Sequence, residues 1–311
     1  MKLKNWLVEW LENYVKPTVK SRTYERYTYI VLQKLIPSLG ERELEDLTPT
    51  TLQKFVTQLL ASGNAKTGEG LATNSVNSIV NVIQNAMRTA FNVGYAASYT
   101  ADKLKRPKAK ESRVECFTVA EQKKIVKAAL SSKKSKLFGV ALCLYTGLRL
   151  GELLALKWSD IDVIGGLLSV NRSCHDGKSL GKTIRVEEPP KTESSIRVIP
   201  LPKQLLPIVR EKKKASVSPY VVAEGKKVFS VRSYQQTFAY LLKKLKIPHK
   251  GFPALRHTFA TRALECGMDV KTLSEILGHK SPTVTLNRYV HSMIDHKKNA
   301  MNKLGKTYLD L

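Results

Sequence analysis

The sequence predicts a mainly α-helical fold of two domains, the second carrying a small antiparallel β-sheet. From Met1 to about Ala101, apolar residues recur only at three- and four-residue spacing. Residues Lys103 to Arg113 are polar, basic and interrupted by Pro107, which reads as a linker. Between Leu167 and Leu201 the texture changes to short β-branched runs separated by glycine and proline turns. The expected organisation is a helical domain over 1–102, a linker over 103–113 and a mixed domain over 114–311, ending in a tail helix over 292–311.

Each element has a local reason. Leu3, Trp6, Leu7, Trp10, Leu11 and Tyr14 share one helical face, with Glu9 and Glu12 between them. Further helices are expected over Thr23 to Leu35, over Thr48 to Leu60, where Thr48-Pro49 makes a start signal, and over Leu71 to Val93, which Gly94 stops. Thr118 and Glu121 form a capping box that opens the second domain. Strands are expected at Leu167 to Val170, Thr183 to Val186 and Ser195 to Ile199. Helices then resume, with Gly267 and Gly278 as C-terminal stops, and Met293, Ile294, Met301 and Leu304 forming an apolar strip on the tail.

Lysine and arginine number 52 against 26 acidic residues, a formal charge of +26 on 311 residues, so the partner is a polyanion. The most apolar stretch, Leu137 to Leu144, is far too short to cross a bilayer, which leaves nucleic acid rather than membrane. Candidate DNA contacts are Lys20, Arg22, Arg26, Lys105, Arg106 and Lys108. Cys116, Cys143, Cys174 and Cys266 contain no Cys-x-x-Cys pair and read as reduced thiols, mostly core filler. The amphipathic N-terminus is unlike a signal peptide, so a cytoplasmic location is expected. No metal-ligand cluster is evident. Asp176 to Thr183 imitates a phosphate-binding loop, but its glycine spacing is one residue short and strand-like sequence follows it, so no nucleotide cofactor is expected.

Leu255-Arg256-His257-Thr258, Leu277-Gly278-His279 and Asn287-Arg288-Tyr289 follow one another near the end of the chain. Upstream, Thr146-Gly147-Leu148-Arg149-Leu150-Gly151-Glu152-Leu153 supplies a second arginine, and Pro190-Lys191-Thr192-Glu193-Ser194-Ser195-Ile196-Arg197 a lysine in strand-like sequence. That order suggests a phosphate clamp followed by a nucleophile. It resembles the tyrosine recombinases, the phage and conjugative-transposon integrase family. The stretch from His279 to Tyr289, with Thr285-Leu286-Asn287-Arg288 between, is most similar to integrases of Gram-positive mobile elements.

The resemblance implies two domains clamped around duplex DNA; the arm-binding domain that many integrases carry is not expected ahead of Met1. It implies that Arg149 and Arg256 hold the scissile phosphate, as planar guanidinium forks suit phosphate oxygens. Any single arginine of this chain is otherwise an ordinary surface cation, but both lie in apolar sequence. His279 becomes a phosphate donor, Lys191 the proton donor to the leaving 5′ oxygen, and Tyr289 the nucleophile. With twelve tyrosines present, only its place after His279 distinguishes Tyr289 from a packing residue. Glu152 and His257 are supporting residues.

Where the family pattern has a histidine three residues before the second arginine, Pro253 stands here, and proline cannot shuttle a proton. The implied activity is site-specific recombination through a 3′-phosphotyrosyl intermediate, weakened by Pro253. The alternatives are a non-catalytic protein occupying recombination sites and, less favoured, a type IB topoisomerase. Implied partners are duplex DNA, three further copies in a homotetramer on paired sites, and accessory DNA-bending or directionality proteins.

Overall fold

A computed structural model describes residues 1–64, 67–108, 114–132, 134–179, 182–190, 195–225, 227–289 and 294–309. The chain divides into two compact units, Met1–Ser112 and Arg113–Leu311.

Among its described residues the first unit has helices joined by turns and no strand beyond an isolated bridge between Lys2 and Glu43. Leu3–Trp10 presents Leu3, Trp6, Leu7 and Trp10 to the core, because those positions lie three and four residues apart. Trp6 is fully buried and donates its indole N–H to the Ala86 carbonyl at 3.0 Å, so its large apolar area is removed from water with no polar group stranded. Ser21–Ile30 passes through a π-helical turn, Val31–Leu35, into Ile36–Leu39. Pro49–Ser62 is capped by the Thr48 hydroxyl, and Thr73–Asn92 supplies the longest buried face, from Val76 to Ala90. The basic stretch after residue 102 begins anchored to this unit. Gln53 pairs with the Lys105 backbone, Arg106 with Gln84, and Asn77 with the Pro107 carbonyl. Lys20, Arg22, Arg26, Lys105, Arg106 and Lys108 are all exposed.

The second unit begins with Val119–Leu130, whose Thr118–Glu121 capping box is formed, and the apolar Ser135–Thr146 helix. Leu150–Ala155 follows, then strands β1 (Ile161–Asp162), β2 (Leu167–Val170), β3 (Ser173–Ser179), β4 (Lys182–Glu188) and β5 (Arg197–Pro200). After Leu206–Lys214 come two short strands, β6 (Ala223–Glu224) and β7 (Lys227–Val228). Helices Val231–Lys244, Pro253–Glu265, Val270–Leu277, Pro282–Tyr289 and Ile294–Leu309 complete the unit.

Where the sequence reads as one sheet, the described residues form three antiparallel ones, ordered β1-β2-β5, β3-β4 and β6-β7. The difference arises at β3, whose Ser173-Cys174-His175-Asp176-Gly177-Lys178-Ser179 has no β-branched residue and takes its strand form from pairing with β4. The described residues of the imitation phosphate loop lie on β3 and β4, and Asp176 accepts from the backbone N–H groups of Val231 and Arg232 at the start of a helix. Cys143 and Cys174 are buried, whereas Cys116 is half-buried and Cys266 exposed, so only half of the thiols fill the core. Among the described residues no helix is long and apolar enough to cross a membrane, and no cluster of His, Cys, Asp or Glu is arranged for a metal.

Candidate active site

Four backbone features bring the motif residues together. Gly147 ends the Ser135–Thr146 helix at φ 65°, a left-handed turn open to glycine. A Cβ there would lie 2.5 Å from the Phe259 ring and 2.8 Å from Leu277, so the turn also needs glycine for packing. Arg149 is the N-cap of the next helix, and its backbone N–H donates to Glu152 Oε2 at 2.9 Å. Gly278 repeats the left-handed stop at φ 63° and delivers His279 to the site. Pro253 occupies the first turn of Pro253–Glu265, where a missing N–H costs no helical hydrogen bond.

The arginines are tied to these turns. Arg256, only 8% exposed, donates from Nη1 to the Gly147 carbonyl at 2.8 Å and from Nη2 to the Leu277 carbonyl at 2.7 Å. Burial, then the neighbouring charge of Arg149, lowers its pKa to about 9, which keeps it cationic at neutral pH. Arg149 donates to Glu152 Oε1 at 2.8 Å and to the Gly278 carbonyl at 3.0 Å, and its side chain remains 40% exposed. Part of its guanidinium fork therefore faces solvent.

His279 Nε2 lies 2.9 Å from Arg256 Nη2, and Nδ1 lies 2.8 Å from the buried Thr285 hydroxyl. An arginine can only donate, so Nε2 accepts and the neutral tautomer carries its proton on Nδ1. Burial, reinforced by Arg256 and then Arg149, depresses its pKa to about 4. Tyr289 ends Pro282–Tyr289 and is 3% exposed, packed with Ala260, Ala263, Leu264, Leu273 and Leu277. Its hydroxyl lies 2.8 Å from His257 Nδ1. Burial raises the phenol pKa, against smaller opposing effects of Arg256 and Arg288.

Arg197, to which the sequence pattern assigns no role, completes the cluster. Its Nη1 and Nη2 donate to Glu152 at 3.1 and 2.8 Å, and its Nε donates to the Ile276 carbonyl at 2.6 Å. Both side chains are nearly inaccessible, at 6% and 4% exposure. Burial pushes the Glu152 pKa up, but the hydrogen bonds and charge of Arg197, then the charge of Arg149, overcome it, and the net direction is down. The available signal was alternation: on β5, Arg197 shares the inward face with Ile199.

A cavity of about 130 Å³ is lined by Leu148, Arg149, Leu150, Gln235, Phe252, Pro253 and Arg256. The position where the pattern has a histidine thus opens on the same space as both arginines. His249 is exposed in the preceding loop. Lys191 lies outside the described residues.

Residues 115–296 match the phage integrase family, and residues 2–60 match the phage integrase N-terminal SAM-like domain. The chain is 31% identical over 268 residues to a XerC-like tyrosine recombinase of Caldanaerobacter subterraneus subsp. tengcongensis, spanning 78% of this chain and 68% of that protein. It is 26% identical to the transposase from transposon Tn916 of Enterococcus faecalis, over 95% of this chain and 76% of that one. Its fold is shared with the Tn1549 transposon integrase in complex with a circular intermediate DNA, at TM-score 0.80 and 20% identity over 98% and 99% of the two chains. It is also shared with the lambda integrase tetramer bound to a Holliday junction, at TM-score 0.70 and 22% identity over 93% and 77%. The chain therefore belongs to the phage integrase family of tyrosine recombinases, enzymes that transfer DNA strands.

Proposed function

We propose that this enzyme cuts and rejoins duplex DNA at specific sites, with Tyr289 attacking the scissile phosphate to form a 3′-phosphotyrosyl link and a free 5′ hydroxyl. The observation that carries this reading is the convergence of Arg149, Arg256 and His279 from three separate segments, joined through the Gly147, Leu277 and Gly278 carbonyls. Fixed guanidinium donors of this kind stabilise charge that develops on a phosphate without reorganising, while His279, which accepts from Arg256 and has its one N–H on Thr285, holds Arg256 in place instead of donating to the phosphate as the resemblance implies. Glu152 and Arg197 hold Arg149 in place, and Lys191 protonates the leaving oxygen.

Pro253 supplies no acid-base group, so cleavage is slower than a histidine at that position would allow, while the binding surface is retained. Lys20, Arg22, Arg26, Lys105, Arg106 and Lys108 contact the duplex backbone, and the two domains act as a clamp in the cytoplasm at the nucleoid. Four copies assemble on paired sites, with accessory DNA-bending or directionality proteins where the host element supplies them. Met301, Leu304 and Tyr308, all exposed on the tail helix, support docking of that helix on a neighbouring copy.

A nicked suicide duplex carrying the sequences that flank the gene tests the reading. Trapped covalent DNA is expected; DNA bound without covalent product would favour the non-catalytic alternative, and relaxation of any supercoiled plasmid would favour a topoisomerase.

A further inference from the structure

We infer that His257 is the proton acceptor for Tyr289, taking over at the nucleophile a part of the acid-base work that Pro253 cannot do. The inference rests on the function proposed above and assigns a catalytic role to a residue so far only described as supporting.

Geometry carries it. His257 Nδ1 is 2.8 Å from the Tyr289 hydroxyl, and the rings lie 5.6 Å apart at 54°, a contact across 32 residues of sequence. The imidazole lies within electrostatic reach of Arg288, one residue before the tyrosine, and of Arg256 on its own helix. Burial, then Arg288 and Arg256, depress its pKa to about 4, so at neutral pH it is uncharged and one ring nitrogen has an open lone pair. A phosphodiester seated on the arginines offsets their charge and makes the imidazole a better base as the substrate arrives. His279 is committed elsewhere, to Arg256 and Thr285.

The step balances. As the Tyr289 oxygen bonds to phosphorus, its O–H bond breaks and the proton moves to His257 Nδ1. The bond from phosphorus to the 5′ oxygen breaks, and that oxygen takes its proton from Lys191. In the reverse step the 5′ hydroxyl of the incoming strand attacks phosphorus and gives its proton to the now neutral Lys191 amine, the bond from phosphorus to the Tyr289 oxygen breaks, and the imidazolium returns its proton to that oxygen.

On the nicked duplex, His257→Asn retains a side chain able to accept from the tyrosine hydroxyl but has no basicity. It is expected to slow covalent-complex formation by about 10²- to 10⁴-fold at unchanged DNA affinity. A substrate with sulfur in place of the bridging 5′ oxygen, whose leaving group needs no proton, is not expected to restore it. A wild-type rate in His257→Asn, or full rescue by sulfur, overturns the inference. If that variant melts too early to assay, His257→Ala with added imidazole replaces it: regained cleavage supports the base, and none from a folded, DNA-bound protein overturns it. Covalent product from Tyr289→Phe would instead remove the nucleophile itself, so the two failures are distinguishable.

Discussion

At Glu152 a carboxylate with 4% side-chain exposure accepts from the Arg149 backbone and from the guanidinium groups of Arg149 and Arg197. Taking away one partner of such a buried pair leaves charge without its complement. Arg197→Ala is therefore expected to destabilise the second unit by about 3–5 kcal/mol, read as a lower denaturant midpoint; a change under about 1 kcal/mol would mean the pair is better solvated than its burial indicates. His257 and His279 give this unit a pH dependence of definite sign. Their folded pKa values, about 4, lie below the ordinary 6.5, so between those values the unfolded chain binds more protons and stability falls as pH falls. Thermal melts should decline across that window, and replacing both imidazoles with glutamine should flatten the decline. Pro253→His should raise cleavage on the order of 10²-fold, since its position opens on the cavity beside both arginines; unchanged cleavage with unchanged folding would show the role is filled elsewhere. The motif residues were legible because each stands in a short string that resembles the family pattern, although Arg149 lies 129 residues from the Gly278 carbonyl it meets. Arg197 was not, because no such string marks its pairing with Glu152, 45 residues away in sequence.

The elements behave as their local chemistry dictates where that chemistry is strong. The Thr48 and Thr118 caps, the long Thr73–Asn92 face and the Gly278 stop each combine a propensity with a cap or turn that needs no distant partner. β2 follows from its apolar residues, with Leu168 and Val170 two apart on the buried face, whereas β3 is polar and depends on pairing with β4. Gly147 links turn geometry to chemistry most directly, because it sets a left-handed stop, admits the Phe259 ring and offers its carbonyl to Arg256. Gly147→Ala should cost roughly 1–3 kcal/mol from overpacking, with backbone strain added, and should lower cleavage more than DNA binding. A neutral outcome in a melt would show that Phe259 and Leu277 can yield.

Across the whole molecule, the charge excess of +26 is the property that sequence states most plainly, and neither the fold nor any single site is needed to read it. DNA affinity should fall steeply with salt, with a log-log slope of about −0.9 for each phosphate neutralised. A fragment starting at Arg113 should bind with a shallower slope and by orders of magnitude more weakly; equal affinity would refute a clamp. The proposed reaction itself is tested most directly by digesting the trapped covalent complex and locating the nucleotide by peptide mass spectrometry. The expected result is a 3′-linked nucleotide on the peptide containing Tyr289. A nucleotide on any other residue, or none while the duplex is bound, would contradict the mechanism.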